Sequence, residues 1–244
     1  MDSLASRVGS GDFDRHVPTP SSSSPALETY SYATDIIESL GRLTVGAGRS
    51  KREEIIRAID TEGGSIYRPE ALSIWGIKVL DRVPPAPLVA LNKKQVLLYI
   101  PNMVLVNGKV ENFTLNVLNG AYAYGSFGFF EATVREQFGD ATAPGWVLID
   151  KKLLSGSRGK DYETQKRMVE EKGCSMPRVL EAVLLNLIVF AFTGERLYGT
   201  GIYTCCMEKV DGESPVIVGN FDLRNRLFIE NDRAGYGVAC VQRF

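Results

Sequence analysis

Histidine is all but missing. The 244 residues contain one, His16, in a Ser- and Pro-rich stretch near the N-terminus. Its scarcity excludes a Ser-His-Asp triad, a Cys-His dyad or a His-ligated zinc site from the rest of the chain. Lysine, aspartate and cysteine remain available as acid, base or nucleophile. Cysteine is sparse as well: Cys174, Cys205, Cys206 and Cys240 include no CxxC pair. A disulfide framework is not expected, reduced thiols fit better, and the sequon Asn112-Phe113-Thr114 reads as accidental. Neither charge sign dominates, with 28 Lys and Arg against 29 Asp and Glu. Phosphate affinity needs many cations on one face, so no nucleic-acid partner is expected. Long apolar runs are lacking too. The longest, Ala182 to Phe192, is broken by Asn186 and has about half the length of a membrane span. It reads as a buried helix, and no membrane span is expected. Met1 to Gly11 lacks the apolar core of a signal peptide, which points to a cytoplasmic protein.

What remains is an ordinary globular composition, 44% hydrophobic and 23% charged, enough for one large domain. Residues 1–26, with Ser21 to Ser24 and Pro18, Pro20 and Pro25, bury too little to order themselves and read as a disordered tail. Residues 27–71 read as a helical segment. Leu27, Tyr30, Ile36, Ile37 and Leu40 recur at helical spacing until Gly46 and Gly48. A second helix starts at the Ser50/Glu53 capping box, buries Ile55, Ile56 and Ile59, and stops at Gly63-Gly64. Residues 72–244 read as the globular part. Strands are expected at Val96–Ile100, Met103–Val106 and Phe113–Val117, with a tight turn at Asn107-Gly108. A short helix over Glu131–Phe138, a strand at Trp146–Ile149 and a polar helix over Asp161–Lys172 follow. A helix beginning at Pro177 should bury Leu180, Leu184, Leu187, Ile188 and Ala191. Strands Tyr203–Met207, Pro215–Phe221, Arg226–Ile229 and Val238–Val241 close the chain, with turns at Asp211-Gly212 and Asn231-Asp232. The order implies an α+β single domain, helices packed on a mainly antiparallel sheet.

Candidate chemistry is thin. Gly46 to Lys51 looks like a phosphate loop but has the wrong spacing and follows a helix, so it reads as a helix–helix turn. Cys205 and Cys206 must face opposite sides of a strand and are expected in the core. Glu181 falls within an apolar helix face and needs a partner, for which Arg178 and Arg196 are the candidates. The loop Ser155–Lys160 brings Ser157, Arg158 and Lys160, with small residues that let backbone N–H groups approach an anion. The turn Thr193–Thr200 brings Arg196 and Tyr198, residue types favoured at binding hot spots. These five form the candidate ligand- or partner-binding surface. No catalytic residue, metal ligand or cofactor is assigned.

A longer pattern runs from Leu72 to Phe244. It includes Trp146-Val147-Leu148, Ser155-Gly156-Ser157-Arg158, Tyr162-Glu163-Thr164-Gln165, Met176-Pro177, Thr193-Gly194-Glu195-Arg196-Leu197-Tyr198 and Tyr203-Thr204-Cys205-Cys206. This series resembles a domain of leucine-rich-repeat and F-box-like proteins of chlamydia-like intracellular bacteria. That resemblance carries no activity to any residue. It implies a non-enzymatic protein-interaction module with a protein partner, an effector passed into a host cell without a cleavable signal peptide. The alternatives are an enzyme using Lys, Asp or Cys, and a carbohydrate- or small-ligand-binding domain. The last follows from Gly173-Cys174-Ser175-Met176-Pro177, Tyr203-Thr204 and Val238-Ala239-Cys240-Val241, whose order is similar to that of C-type-lectin-like and formylglycine-enzyme-like domains. The Trp-rich calcium loop of lectins is missing.

Overall fold

Turn residues cut the chain into short elements, which a computed structural model describes over residues 59–60, 65–122, 129–198, 201–221, 227–231 and 235–244. In chain order come strands β1 (Ile59–Asp60) and β2 (Ser65–Tyr67), a 3-10 helix (Pro69–Trp75), and strands β3 (Lys78–Val79), β4 (Gln95–Ile100), β5 (Met103–Val106) and β6 (Lys109–Asn112). Then come α1 (Leu115–Ala121), β7 (Phe129–Phe130), α2 (Ala132–Phe138), β8 (Gly145–Asp150), α3 (Tyr162–Glu170) and α4 (Val179–Thr193). Strands β9 (Tyr203–Val210), β10 (Ser214–Phe221), β11 (Leu227–Asn231) and β12 (Val241–Arg243) follow. The strands form three sheets, ordered β1-β2-β4-β8-β12, β7-β11-β10-β9 and β3-β5-β6. Only the β2–β4 and β7–β11 pairings among them are parallel. The fold is α+β, as the sequence implies.

Helix α4 organises the core because it has no polar face. Every residue from Val179 to Ala191 is buried. It touches β9, β10 and β11 of the four-stranded sheet and β4 of the five-stranded sheet. A helix apolar all round is stable only when packed layers cover it. Leu180, Leu184, Leu187, Ile188 and Ala191 are buried as expected, and so are the residues between them. Strand β4 is apolar on both faces for a related reason. Val96, Leu98 and Ile100 join the main core, while Leu97 and Tyr99 pack with Trp146 and Leu148 beneath Val83, Ala86, Val89 and Leu91 of the preceding coil. The Trp146 indole N–H donates to Pro84 O at 3.0 Å and ties that coil down.

Turn chemistry holds. Asn107 and Gly108 take φ of 50° and 77° between β5 and β6, and Asp211 and Gly212 take 51° and 76° between β9 and β10. The run Phe113–Val117 is not a strand. Thr114 accepts from the Val117 N–H at 3.3 Å and starts α1, which buries Leu115 and Leu118 one turn apart. Pro177 lies just ahead of α4, whose N-cap is Arg178, and its carbonyl accepts from Met207 N at 2.8 Å. The last strand starts at Val241, because Val238 to Cys240 hydrogen-bond to loops and β-strand ends instead of one neighbouring strand. The expected tail, the Gly46–Lys51 turn and the helices read before Ile59 lie outside the described residues. Ile59, expected on a helix, pairs with Tyr67 in an antiparallel β1–β2 ladder.

Candidate functional site

The loop Ser155–Lys160 is tied to α3 and to the 236–238 segment by hydrogen bonds. Gln165 on α3 is fully buried, and its amide donates to the carbonyls of Ser157, Lys160 and Tyr236 at 3.0, 3.1 and 3.2 Å. The Ser157 hydroxyl accepts from Val238 N at 3.1 Å, and Ser157 is 0% exposed. Gly237 closes the seam, because a Cβ there would lie 2.9 Å from Ser157 Oγ. Ser157 is therefore a scaffold residue. Arg158 and Lys160 are exposed, and Arg158 Nε lies 3.4 Å from Gly235 O.

The turn after α4 divides its two candidates. Arg196 is exposed. Tyr198, at φ 66°, points inward. Its hydroxyl is buried, has Thr204 as a polar neighbour and makes no hydrogen bond of normal geometry; burial raises its pKa far above the ordinary phenol value. Thr204 Oγ1 in turn accepts from Ala239 N at 3.0 Å. Ser157 and Tyr198 thus approach the same buried segment, 238–239. Arg158, Lys160 and Arg196 remain as the surface part of the set.

The start of α4 holds the densest polar cluster. Glu181 is 1% exposed and receives Arg243 through Nε and Nη2, both at 2.7 Å, and Arg178 N at 2.7 Å. Its charge partner is therefore Arg243, not Arg178 or Arg196; β12 carries that guanidinium to the helix start. Arg243 also donates to Met176 O at 2.9 Å and to Ser175 Oγ. Beside it Glu208 accepts from Val179 N at 3.0 Å. Burial first, and then the nearby Glu181 charge, push Glu208 up to about 7 against backbone hydrogen bonds and Arg178. Tyr162 donates to Met207 O at 2.8 Å, and Lys209 stands 3.9 Å over its ring while pairing with Glu163 at 3.2 Å.

Thiol chemistry is muted here. Cys205 and Cys206 occupy separate apolar clusters on opposite faces of β9. Burial pushes Cys205 and Cys240 to about 12 and Cys206 well above the ordinary thiol value. A neutral-pH thiolate is not available at those three positions. Among the described residues no group of three or more His, Cys, Asp or Glu side chains could hold a metal ion. No helix among them is long and apolar enough to cross a membrane.

Among the described residues the exposed large apolar side chains are Leu80, Leu88, Val110, Met207 and Phe244, and two of these, Leu80 and Val110, share one sheet face. Register places Val110 opposite Leu105, and Leu105 opposite Lys78; Leu80 N donates to Met103 O at 3.0 Å. Strand alternation puts Leu80, Met103, Leu105 and Val110, with the exposed Lys78 and Asn112 among them, on the face turned away from Val104 and Val106, which are in the core. Val110 is 58% exposed and Leu80 42%. Sequence reasoning did not single out this face, although the alternation Val104/Leu105/Val106 and the apolar Val110 between Lys109 and Glu111 carry the signal. Nor did it find Glu208 and Arg243, whose roles depend on β9 and β12 meeting the start of α4. Comparison of the chain with protein-family models, with curated proteins and with solved structures returns no match.

Proposed function

We propose that the domain is a non-enzymatic protein-interaction module whose partner docks on the outer face of β3, β5 and β6. The observation that carries this reading is the exposure of Leu80 and Val110 beside half-buried Met103 and Leu105. Contiguous exposed apolar side chains are costly unless a partner covers them. Lys109 and Glu111 on the sheet's edge strand discourage strand addition, so the partner fits the face and not the edge. The exposed cations Arg158 and Lys160 on one loop and Arg196 on another lie outside that face and serve as controls. The resemblance to domains of chlamydia-like intracellular bacteria supports a partner inside a host cell. The high thiol pKa values count against the enzyme reading through Cys205, Cys206 or Cys240. Capture of proteins from a eukaryotic lysate on the immobilised chain, with Val110→Asp and Arg158→Glu in parallel, tests the reading. Loss with Val110→Asp but not with Arg158→Glu, at unchanged melting temperature, assigns the sheet face; proteins held equally by all three refute it.

A further inference from the structure

Cys174 and Cys240 are separated by 65 residues in sequence, yet one backbone bridge brings them together. Ser175 and Val241 exchange both N–H···O bonds at 2.9 Å. In that antiparallel register Cys174 stands opposite Gln242 and Cys240 opposite Met176, so both cysteines point to the same face. The end of α3 fixes Cys174. Gly173 takes φ 68°, and Cys174 N donates to Val169 O at 3.1 Å, which seats the thiol on the cluster containing Val169 and Cys240. Gln242 Nε2 lies 3.8 Å from Cys174 Sγ. Cys174 packs against the cluster that holds Cys240, and Asp150 N donates to Cys240 O at 3.0 Å, which brings the Asp150 carboxylate beside the Cys240 residue. Gln95 Nε2 holds that carboxylate at 3.1 Å, and the Lys172 ammonium acts on both Asp150 and Cys240. Cys174 is half-buried, whereas Cys240 is 6% exposed. One thiol reaches solvent and the other waits beneath it.

We propose that Cys174 and Cys240 form a peroxide-oxidisable dithiol, with Cys174 the sulfur attacked first and Cys240 the resolving thiol. The Cys174 sulfur attacks one oxygen of a hydroperoxide. The O–O bond breaks, the thiol proton leaves with the departing alcohol or water, and Cys174 becomes a sulfenic acid. Cys240 then attacks the Cys174 sulfur while its proton passes, in the same step, to the departing oxygen, so no free Cys240 thiolate is formed. The S–O bond breaks, the oxygen leaves as water with that proton, and the disulfide forms. Two thiols lose two electrons, and the peroxide gains them. Diagonal neighbours on paired strands lie near the upper limit of disulfide reach, so the 175–241 bridge must tighten as the bond closes.

The test uses the reduced full chain and one equivalent of hydrogen peroxide. The expected product is lighter by about 2 Da and keeps two of its four cysteines alkylatable after denaturation. Digestion with trypsin should join the peptide Gly173–Arg178 to Ala234–Arg243, leaving Leu197–Lys209, with Cys205 and Cys206, unlinked. Cys240→Ala should instead trap Cys174 as a dimedone-reactive sulfenic acid, and Cys174→Ser should abolish the linkage. Because the linked peptide is read on the unaltered chain, the result does not depend on either variant folding. Four alkylatable thiols after peroxide, or linkage of Cys174 to any cysteine other than Cys240, overturns the assignment.

Discussion

Glu208→Gln isolates the most informative titration in the molecule. The folded carboxyl sits at about 7 against an ordinary value of 4.5, with burial the main cause. Between those values the folded state keeps a proton that the unfolded chain releases. The contribution of Glu208 to stability is therefore full below pH 4.5, falls as pH rises through this window and is lost above about 7. The full interval corresponds to about 3 kcal/mol, an upper figure for a half-buried group. Glutamine cannot ionise, and its oxygen can still accept from Val179 N as the carboxylate does at 3.0 Å. The variant should exceed the parent by about 1 kcal/mol at pH 5 and about 3 kcal/mol at pH 8. For a domain of this size that means a melting temperature higher by roughly 6–12 °C at pH 8. Urea titrations and thermal melts of both proteins at the two pH values measure it. A variant less stable than the parent at pH 8, or a difference that does not change with pH, would show that Glu208 is ionised throughout and that its charge is needed at the helix start.

Other outcomes follow from the same core. Leu184→Ala, at a position 0% exposed in the centre of α4, should cost about 2–5 kcal/mol in urea unfolding. Arg243→Met leaves the 1%-exposed Glu181 carboxylate without its charge partner and should cost about 3–5 kcal/mol at pH 7. Adding Glu181→Gln to that variant should recover part of the loss, and a double variant as weak as the single one would refute the pairing.

The α+β class and most elements were legible because local chemistry dictates them. Asn107-Gly108 and Asp211-Gly212 accept positive φ in both the sequence reading and the fold. The apolar run after Pro177 has no polar face and must be buried. The failures have local causes as well. Phe113–Val117 is too short for periodicity to separate strand from helix, and the Thr114 cap decides for helix. The candidate site residues were harder, since their surroundings are set by tertiary contacts. Ser157 and Tyr198 looked like ligand contacts, yet Val238 and the core claim them. Arg243 stands next to the C-terminal residue of the sequence, and nothing local links it to Glu181, 62 positions away. The exposure of Val110 depends on which face of a hairpin the core covers, and alternation alone leaves that choice open.

Binding by the face of β3, β5 and β6 is tested most directly with Leu80→Asp and Val110→Asp. Both positions are exposed, so charge there should leave the melting temperature within a few degrees of the parent's. The parent chain and Arg158→Glu should retain the same eukaryotic proteins from lysate, and both Asp variants should lose them. Retention by the Asp variants equal to the parent's, with all chains folded, would contradict it.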